Sequence, residues 1–449
     1  MKLLIIGGEE FQTQVGSLTS RLFLDIDTAR EQDEIKRKLR WDDIDIVVFD
    51  DDFYYSTDRP KHLEVMRGIR DSKRDYILVS SQRDPASILE ARKNGALDYI
   101  IRPFNQREFI LRFNAVLRKK LRVACIGGGT GLFNLLLGLK TIASVLLTSI
   151  VTMSDDGGSS GKISQTFGIL PPGDVRRSLV ALSNAPELMN QIMQHRFDKR
   201  GEFQGHSFGN IFLTVLAEVT GSMSEAVRAL SDILNTQGIV LPASRTPTCL
   251  VASFQDGTVV KGESNIDLGV GRKLEFHIDN LWHEPAAEGD ADAYSSIVNA
   301  DLVTIGPGDL FTSIATNLVI KEICEALSQT KAKKVYICNL MTKPGETWRY
   351  TAADHVREVI KYLGGDHLDY VLLSNSKLSN EAITEYSRKN QSPVVPGELD
   401  EIRKVTRAEI LTADIGNQTE LVRHDSVKLR GEIQKILDRL SKRHDDPHG

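Results

Sequence analysis

The chain has 449 residues, 41% of them hydrophobic, and a formal net charge of −5 at neutral pH. That length suggests two or three domains. The mild negative balance lacks the basic surface of a nucleic-acid binder and the acidic tail of a charged partner. Cys125, Cys249, Cys324 and Cys338 are widely spaced, with no CxxC pair and no zinc pattern. They read as buried thiols of a protein in the reducing cytoplasm. The opening Met1-Lys-Leu-Leu-Ile-Ile-Gly-Gly-Glu-Glu10 has too short an apolar run for a signal peptide. No stretch approaches the roughly 20 apolar residues of a membrane span, so no membrane insertion is expected.

In the first 118 residues, short β-branched runs at 3–6, 46–49, 77–79 and 99–101 are predicted strands. Residues 30–39, 62–70, 85–94 and 107–119 are predicted helices. This alternation argues for a parallel sheet covered on both faces. The basic run Arg118-Lys-Lys-Leu-Arg122 sets the expected boundary between a domain at 1–118 and another at 119–449. Several signposts resemble a response-regulator receiver. Asp50 ends the third predicted strand, Ser80 ends the fourth, and Arg102-Pro-Phe104 stands where that family has Lys-Pro-Phe. The family's magnesium-binding acidic pair is replaced by Gly7 and Gly8. The resemblance therefore implies a flavodoxin-like, degenerate receiver that serves dimerisation or regulation and does not take phosphate on Asp50.

A second alternation starts at Arg122. Strands are predicted at 123–126, 145–153, 302–305, 335–340 and 370–373, and helices at 132–139, 174–183, 207–219, 222–234, 311–327, 352–363 and 427–440. Gln255-Asp-Gly257 between two apolar runs signals a hairpin. Ser222-Met-Ser-Glu225 reads as a capping box. The last residues, 444–449, are expected to fray.

The chemistry concentrates in loops after strands. Gly127-Gly-Gly-Thr-Gly131 lies between a strand and a helix, where backbone N–H groups point at an anion and Thr130 adds a hydroxyl. The dinucleotide fingerprint fails because its third glycine would fall on Leu132. The P-loop fails because Asp156 stands in place of its first glycine and Ile163 follows Lys162. A second loop, Ser154-Asp-Asp-Gly-Gly-Ser-Ser-Gly161, also follows a strand. Asp155 and Asp156 there suit a metal ion, a ribose hydroxyl or a second substrate. Gly306-Pro-Gly-Asp309 leads into a helix that carries Phe311, Thr312 and Ser313. Asn339-Leu-Met-Thr342 leads towards Thr347. In an open parallel sheet, ligands bind at the carboxyl ends of strands. Four such loops predict one elongated cleft for a phosphorylated ligand.

These segments, with Gly168-Ile-Leu-Pro-Pro-Gly-Asp-Val-Arg176, Gly205-His-Ser-Phe-Gly-Asn210 and Asn339-Leu-Met-Thr-Lys-Pro-Gly-Glu-Thr347, resemble the gluconeogenesis-factor (YvcK-like) family. That family is related to the CofD enzyme, 2-phospho-L-lactate transferase. The resemblance runs from about Arg122 to Leu440. It implies a Rossmann-like α/β domain that binds a nucleotide-linked small molecule, namely a UDP-sugar such as UDP-N-acetylglucosamine. It further implies a regulatory role linking carbon metabolism to cell shape and cell-wall synthesis, with metabolic or cell-wall protein partners and a homodimer. A magnesium-dependent transferase using a nucleoside-diphosphate-linked donor is the alternative. On this likeness Gly127, Gly128, Gly129, Thr130, Gly131, Gly158, Ser159, Ser160, Gly306, Pro307, Gly308, Asp309, Thr312, Ser313, Asn339 and Thr342 bind the ligand. Asp155 and Asp156 face magnesium or an acceptor. Arg176 either clamps phosphate or forms a surface salt bridge, and Phe311 stacks on a base or packs in the pocket. Asn210 joins the site, with His206 beside it as a cap or packing residue.

Overall fold

A computed structural model describes residues 1–40, 43–55, 59–197, 201, 203–269, 273, 275–397, 399–417 and 421–445. The expected fraying at 446–449 lies outside the described residues. The chain divides into Met1–Lys120 with Tyr294–Asn299, and Leu121–Ala293 with Ala300–Gly449. No helix among the described residues is long and apolar enough to cross a membrane.

The first unit is a parallel sheet of β1 (Lys2–Ile6), β2 (Asp25–Ala29), β3 (Ile46–Asp50), β4 (Asp75–Ser80) and β5 (Asp98–Ile101), in the order β2-β1-β3-β4-β5. This is the flavodoxin-like order of the receiver resemblance. Leu3, Ile5, Val48, Ile77 and Val79 form its core with Phe109 and Phe113. Strand β2 and the helix Glu9–Thr19 were not predicted. Asp25-Ile-Asp-Thr-Ala29 sits at the sheet edge with only Ala29 buried, so it lacks the continuous apolar run of a central strand.

At the carboxyl edge of this sheet, Arg102 lies 3.0 Å from the Asp50 carboxylate and 3.6 Å from that of Asp52. Ser80 Oγ donates to Asp51 Oδ2 at 2.9 Å. A Cβ on Gly7 would lie 2.6 Å from Asp50 Cβ, so this backbone has no room for an acid there. The Arg102 guanidinium thus stands against Asp50, and the first position of the missing acid pair has no room for an acid. Burial pushes the Asp50 carboxyl up while Arg102 opposes it. Incubation with acetyl phosphate and magnesium should leave the intact mass of the protein unchanged. A phosphoryl adduct mapped to Asp50 would contradict this.

The second unit holds a seven-stranded, fully parallel sheet. Its strands are β6 (Leu121–Gly127), β7 (Val145–Val151), β8 (Ile239–Pro242), β12 (Leu302–Ile305), β13 (Lys333–Ile337), β14 (Tyr370–Ser374) and β15 (Glu409–Ala413). The order is β15-β14-β13-β12-β6-β7-β8. Chain order therefore reverses between β6 and β12, as in a Rossmann sheet, and the ligand crevice of such sheets opens at that point. Between β8 and β12, β9 (Cys249–Phe254), β10 (Val259–Lys261) and β11 (Ile278–Glu284) form a small antiparallel sheet. The hairpin at 255–257 is present, with Gly257 at φ +84°. Ser222 caps its helix by accepting the Glu225 N–H at 3.2 Å.

The edge strands β8 and β15 and the mixed-polarity strand β11 escaped prediction. The helix expected at 311–327 is broken. A π-helical turn at Leu310–Ala315 is followed by Thr316–Leu318 and then Lys321–Gln329. The loop expected at 154–161 is shorter, because the helix Gly158–Phe167 begins inside it. The helix Gly129–Leu139 crosses the C-terminal helix Ser426–Asp445 at Gly138. A Cβ there would lie 3.0 Å from the Ser426 carbonyl carbon and closer still to its oxygen. This crossing fixes the helix that follows the first glycine loop.

Candidate functional site

The first glycine loop leaves β6 and the Gly306–Asp309 loop leaves β12, on the two sides of the topological switch. Glycines let them meet. A Cβ on Gly131 would lie 2.6 Å from the Pro307 carbonyl carbon and 2.9 Å from Gly308 N. Gly129 has φ +63° and Gly306 φ +79°, left-handed conformations that favour glycine. The loops open into a crevice of roughly 280 Å³, close to the lower bound of about 300 Å³ for small-molecule sites. Of the residues expected to bind the ligand, Gly128, Gly129, Thr130, Gly131, Gly308, Asp309, Ser313, Asn339 and Thr342 line it. Asn134, Lys343, Tyr386, Gln391, Arg423 and His424 also line it and were missed.

Two anion-binding positions in these loops are taken by the chain's own carboxylates. The Gly129 N–H donates to Asp174 Oδ2 at 2.9 Å. Phe311 N–H and Thr312 N–H donate to Glu346 Oε2 at 2.8 and 3.3 Å, and Thr312 Oγ1 donates to Glu346 Oε1 at 2.7 Å. This corrects the expectation that Thr312 and the amides beside it are free for phosphate. What remains open is narrower. The amides of Gly128, Thr130 and Gly131, and the hydroxyls of Thr130 and Ser313, have no partner among the described residues. Of the two readings of Phe311, stacking on a base is corrected. Phe311 is fully buried, edge-on to Tyr350 and Tyr362 at ring distances of 6.4 and 6.2 Å, and cannot stack on a base. The Thr342 hydroxyl accepts from Ser392 N–H at 2.8 Å, so it braces the crevice wall. Gly127, Gly306 and Pro307 shape the loops from behind.

Lys343 pairs with the acid that the Gly306–Asp309 loop places at the crevice. Its Nζ donates to Asp309 Oδ2 at 2.6 Å, pairs with Asp267, and lies 3.6 Å from Glu346 Oε1. Asp267, Asp309 and Glu346 are the one acidic trio among the described residues close enough to share a cation. The ammonium of Lys343 already stands among them. The one local signal for this group is the Thr342-Lys-Pro-Gly-Glu346 run, but its pairing with Asp309 crosses 34 positions.

Asp155 and Asp156 part company. Asp156 Oδ1 accepts the Ser264 N–H at 2.8 Å and so caps the helix Glu263–Leu268. This bond takes one oxygen of the carboxylate expected to face a metal or acceptor. Asp155 Oδ1 accepts the Gly157 N–H at 3.1 Å in a tight turn. Its carboxylate neighbour is Asp174. Burial pushes the Asp174 carboxyl up, Arg177 opposes this, and the Asp155 charge adds to it. Both Asp174 oxygens are engaged within the chain, Oδ2 by the Gly129 N–H and Oδ1 by Arg177 Nη1 at 3.0 Å.

Gly158, Ser159, Ser160, Arg176 and Asn210 do not line the crevice. They gather separately: Arg176 Nε donates to Asn210 Oδ1 at 2.9 Å, and Asn210 Nδ2 donates to Ser159 Oγ at 3.2 Å. Arg176 is buried, which corrects the reading as a surface salt bridge. The single cleft expected from four loops is thus a crevice and an adjoining polar cluster.

A profile for 2-phospho-L-lactate transferase CofD matches residues 123–415. The chain belongs to the CofD family. Within this CofD-family chain, similarity is high to proteins named gluconeogenesis factor. That of Bacillus subtilis is 39% identical over 319 residues, covering 71% of this chain and 99% of the relative. That of Halalkalibacterium halodurans is 39% identical over 324 residues, covering 72% and 98%. A crystal structure of a UPF0052-family protein from Bacillus halodurans superposes with a TM-score of 0.67 at 38% identity, covering 70% of this chain and 99% of that one. The matched stretch contains every crevice residue from Gly128 to Gln391. Arg423 and His424 lie beyond it.

One acid of this CofD-family site carries a pH signature. Glu263 opens the helix capped by Asp156, and burial, with the charges of Asp155 and Glu346, pushes its carboxyl up to about 8. A raised carboxyl binds its proton more tightly in the folded state, so stability is full below the ordinary value of 4.5 and falls as pH rises towards 8. Glu263→Gln should remove this decline. The variant should gain on the native protein between pH 5 and 8 by on the order of 2 kcal/mol, reduced from the full shift by partial exposure. Parallel denaturant titrations at the two pH values measure it, and a constant difference would contradict the assignment.

Proposed function

We propose that the crevice binds a nucleoside-diphosphate sugar, with UDP-N-acetylglucosamine as the leading candidate, and that the chain is a cytoplasmic regulator of carbon metabolism and cell-wall synthesis. The observation that carries this reading is the crevice at the switch point between β6 and β12. Unpaired amides of Gly128, Thr130 and Gly131 and the hydroxyls of Thr130 and Ser313 converge there. A diphosphate offers the acceptors those donors lack. Lys343 keeps Asp309 neutralised at the rim, so a polyanion can approach. Gluconeogenesis factor, the name of close relatives, supports a role in carbon metabolism.

A second reading is a transferase of the kind named by the family profile. It is favoured by the proximity of Asp155 and Asp174 to the first glycine loop. If magnesium binds, it would be held by Asp155. It would supply positive charge to a diphosphate in the crevice.

A thermal-shift panel separates the readings. A ligand specific to the native state raises the midpoint with its concentration. UDP-sugars should raise it, and NAD(P) should not. Response to guanosine diphosphate compounds alone, and only with magnesium, would favour the transferase. No response to any nucleotide would overturn both.

A further inference from the structure

The cluster around Arg176 has a donor face that nothing in the chain uses. Arg176 is 6% exposed. Its Nε is held by Asn210 Oδ1 at 2.9 Å. Among the described residues, no carboxylate pairs with it and its terminal nitrogens have no acceptor. Asn210 Nδ2 donates to Ser159 Oγ and Ser160 Oγ at 3.2 and 3.4 Å, and the Ser207 N–H donates to Ser159 Oγ at 3.3 Å. With two donors on its oxygen, Ser159 gives its own hydrogen to His206 Nδ1 at 3.2 Å. His206 Nδ1 thus accepts, which leaves its Nε2 as a further donor. The Ser159 and Ser160 N–H groups lie in the first turn of a ten-residue helix and have no acceptor among the described residues. A buried guanidinium without a counter-ion is costly to desolvate. Burial, with repulsion from Arg177 and Arg196, brings Arg176 down to about 10, and Asp174 and Asp155 relieve only part of this.

We propose that Arg176, His206 and the Ser159–Ser160 amides form a second oxyanion subsite, distinct from the nucleotide crevice, that takes the phosphate group of a phosphate ester. The donors come from three separate segments, the helices Gly158–Phe167 and Gly173–Leu182 and the turn before Phe208–Thr220. That spread suits the three oxygens of a tetrahedral phosphate better than the two of a planar carboxylate. Asp174 links the two places, since its carboxylate takes the Gly129 N–H of the crevice loop and neighbours Arg176. A phosphate held here would lie close to a diphosphate in the crevice. The subsite does not depend on which nucleotide the crevice takes, or on whether it takes one.

Calorimetric titration of the full chain with inorganic phosphate tests it. The native protein should bind phosphate, and Arg176→Gln should weaken that binding at least about tenfold. Saturating UDP should leave phosphate binding in place. If Arg176→Gln does not fold, the half-buried His206→Ala carries the same test with a loss of several-fold. Absence of phosphate binding, unchanged affinity in the variant, or complete displacement of phosphate by UDP would overturn the proposal. A protein that binds phosphate through Arg176 but no nucleotide would leave it standing and sink only the nucleotide reading.

Discussion

Gly131→Ala is expected to destabilise the protein by about 2–4 kcal/mol, whereas Gly127→Ala, four positions earlier in the same loop, should cost less than about 1 kcal/mol. The contrast follows from what each new methyl would meet. At Gly131 it would press on the backbone of Pro307 and Gly308, which cannot rotate away. At Gly127 the nearest atoms stand at 3.7 Å, ordinary van der Waals contact. Relief at Gly131 requires the helix Gly129–Leu139 to move off the β12 loop, and the crossing at Gly138 resists that movement. The same displacement separates the donors of the crevice, so nucleotide affinity should fall with stability. Urea denaturation of the two variants measures the difference, and equal midpoints would refute the close approach.

Lys343→Met should have an effect of similar size. It leaves Asp267, Asp309 and Glu346 facing one another without the cation that separates them. Glu346 is buried and tied to Phe311, Thr312 and the π-helical turn, so it cannot turn to solvent without releasing that turn. Removing one partner from a buried ion pair typically costs 3–5 kcal/mol. Lys343 is about one quarter exposed, so a loss of about 2–4 kcal/mol is expected. Adding Asp309→Asn should restore part of it by removing one of the opposed charges. A double variant no more stable than Lys343→Met would mean that Lys343 acts through packing alone. Divalent cations should also bind the single variant more tightly than the native protein, because its carboxylate trio has lost its resident charge.

The central strands were legible because parallel strands buried on both faces are short β-branched runs, as in Ile46–Asp50 and Leu302–Ile305. The edge strand Asp25–Ala29 was not, because only Ala29 in it is buried. The glycine loops were legible for a related reason. Close approach of two backbones, as between Gly131 and Pro307, excludes a Cβ and so leaves a mark in the sequence. The carboxylates that occupy those loops left no local mark. Asp174 reaches Gly129 across 45 positions, and Glu346 reaches Phe311 across 35. The far wall of the crevice, with Tyr386, Arg423 and His424, is assembled from segments without any phosphate-binding pattern. Burial decided the fate of Arg176 and Phe311, and residue type alone carries no information on that.

The central claim is that the unpaired donors between β6 and β12 hold the diphosphate of a nucleotide sugar. Its most direct test is calorimetric titration of UDP-N-acetylglucosamine into the native protein and into the double variant Thr130→Val, Ser313→Ala. The account expects binding to the native protein and a loss of about tenfold or more in the variant, with both unfolding at nearly the same temperature. Equal affinity in the two proteins would contradict it.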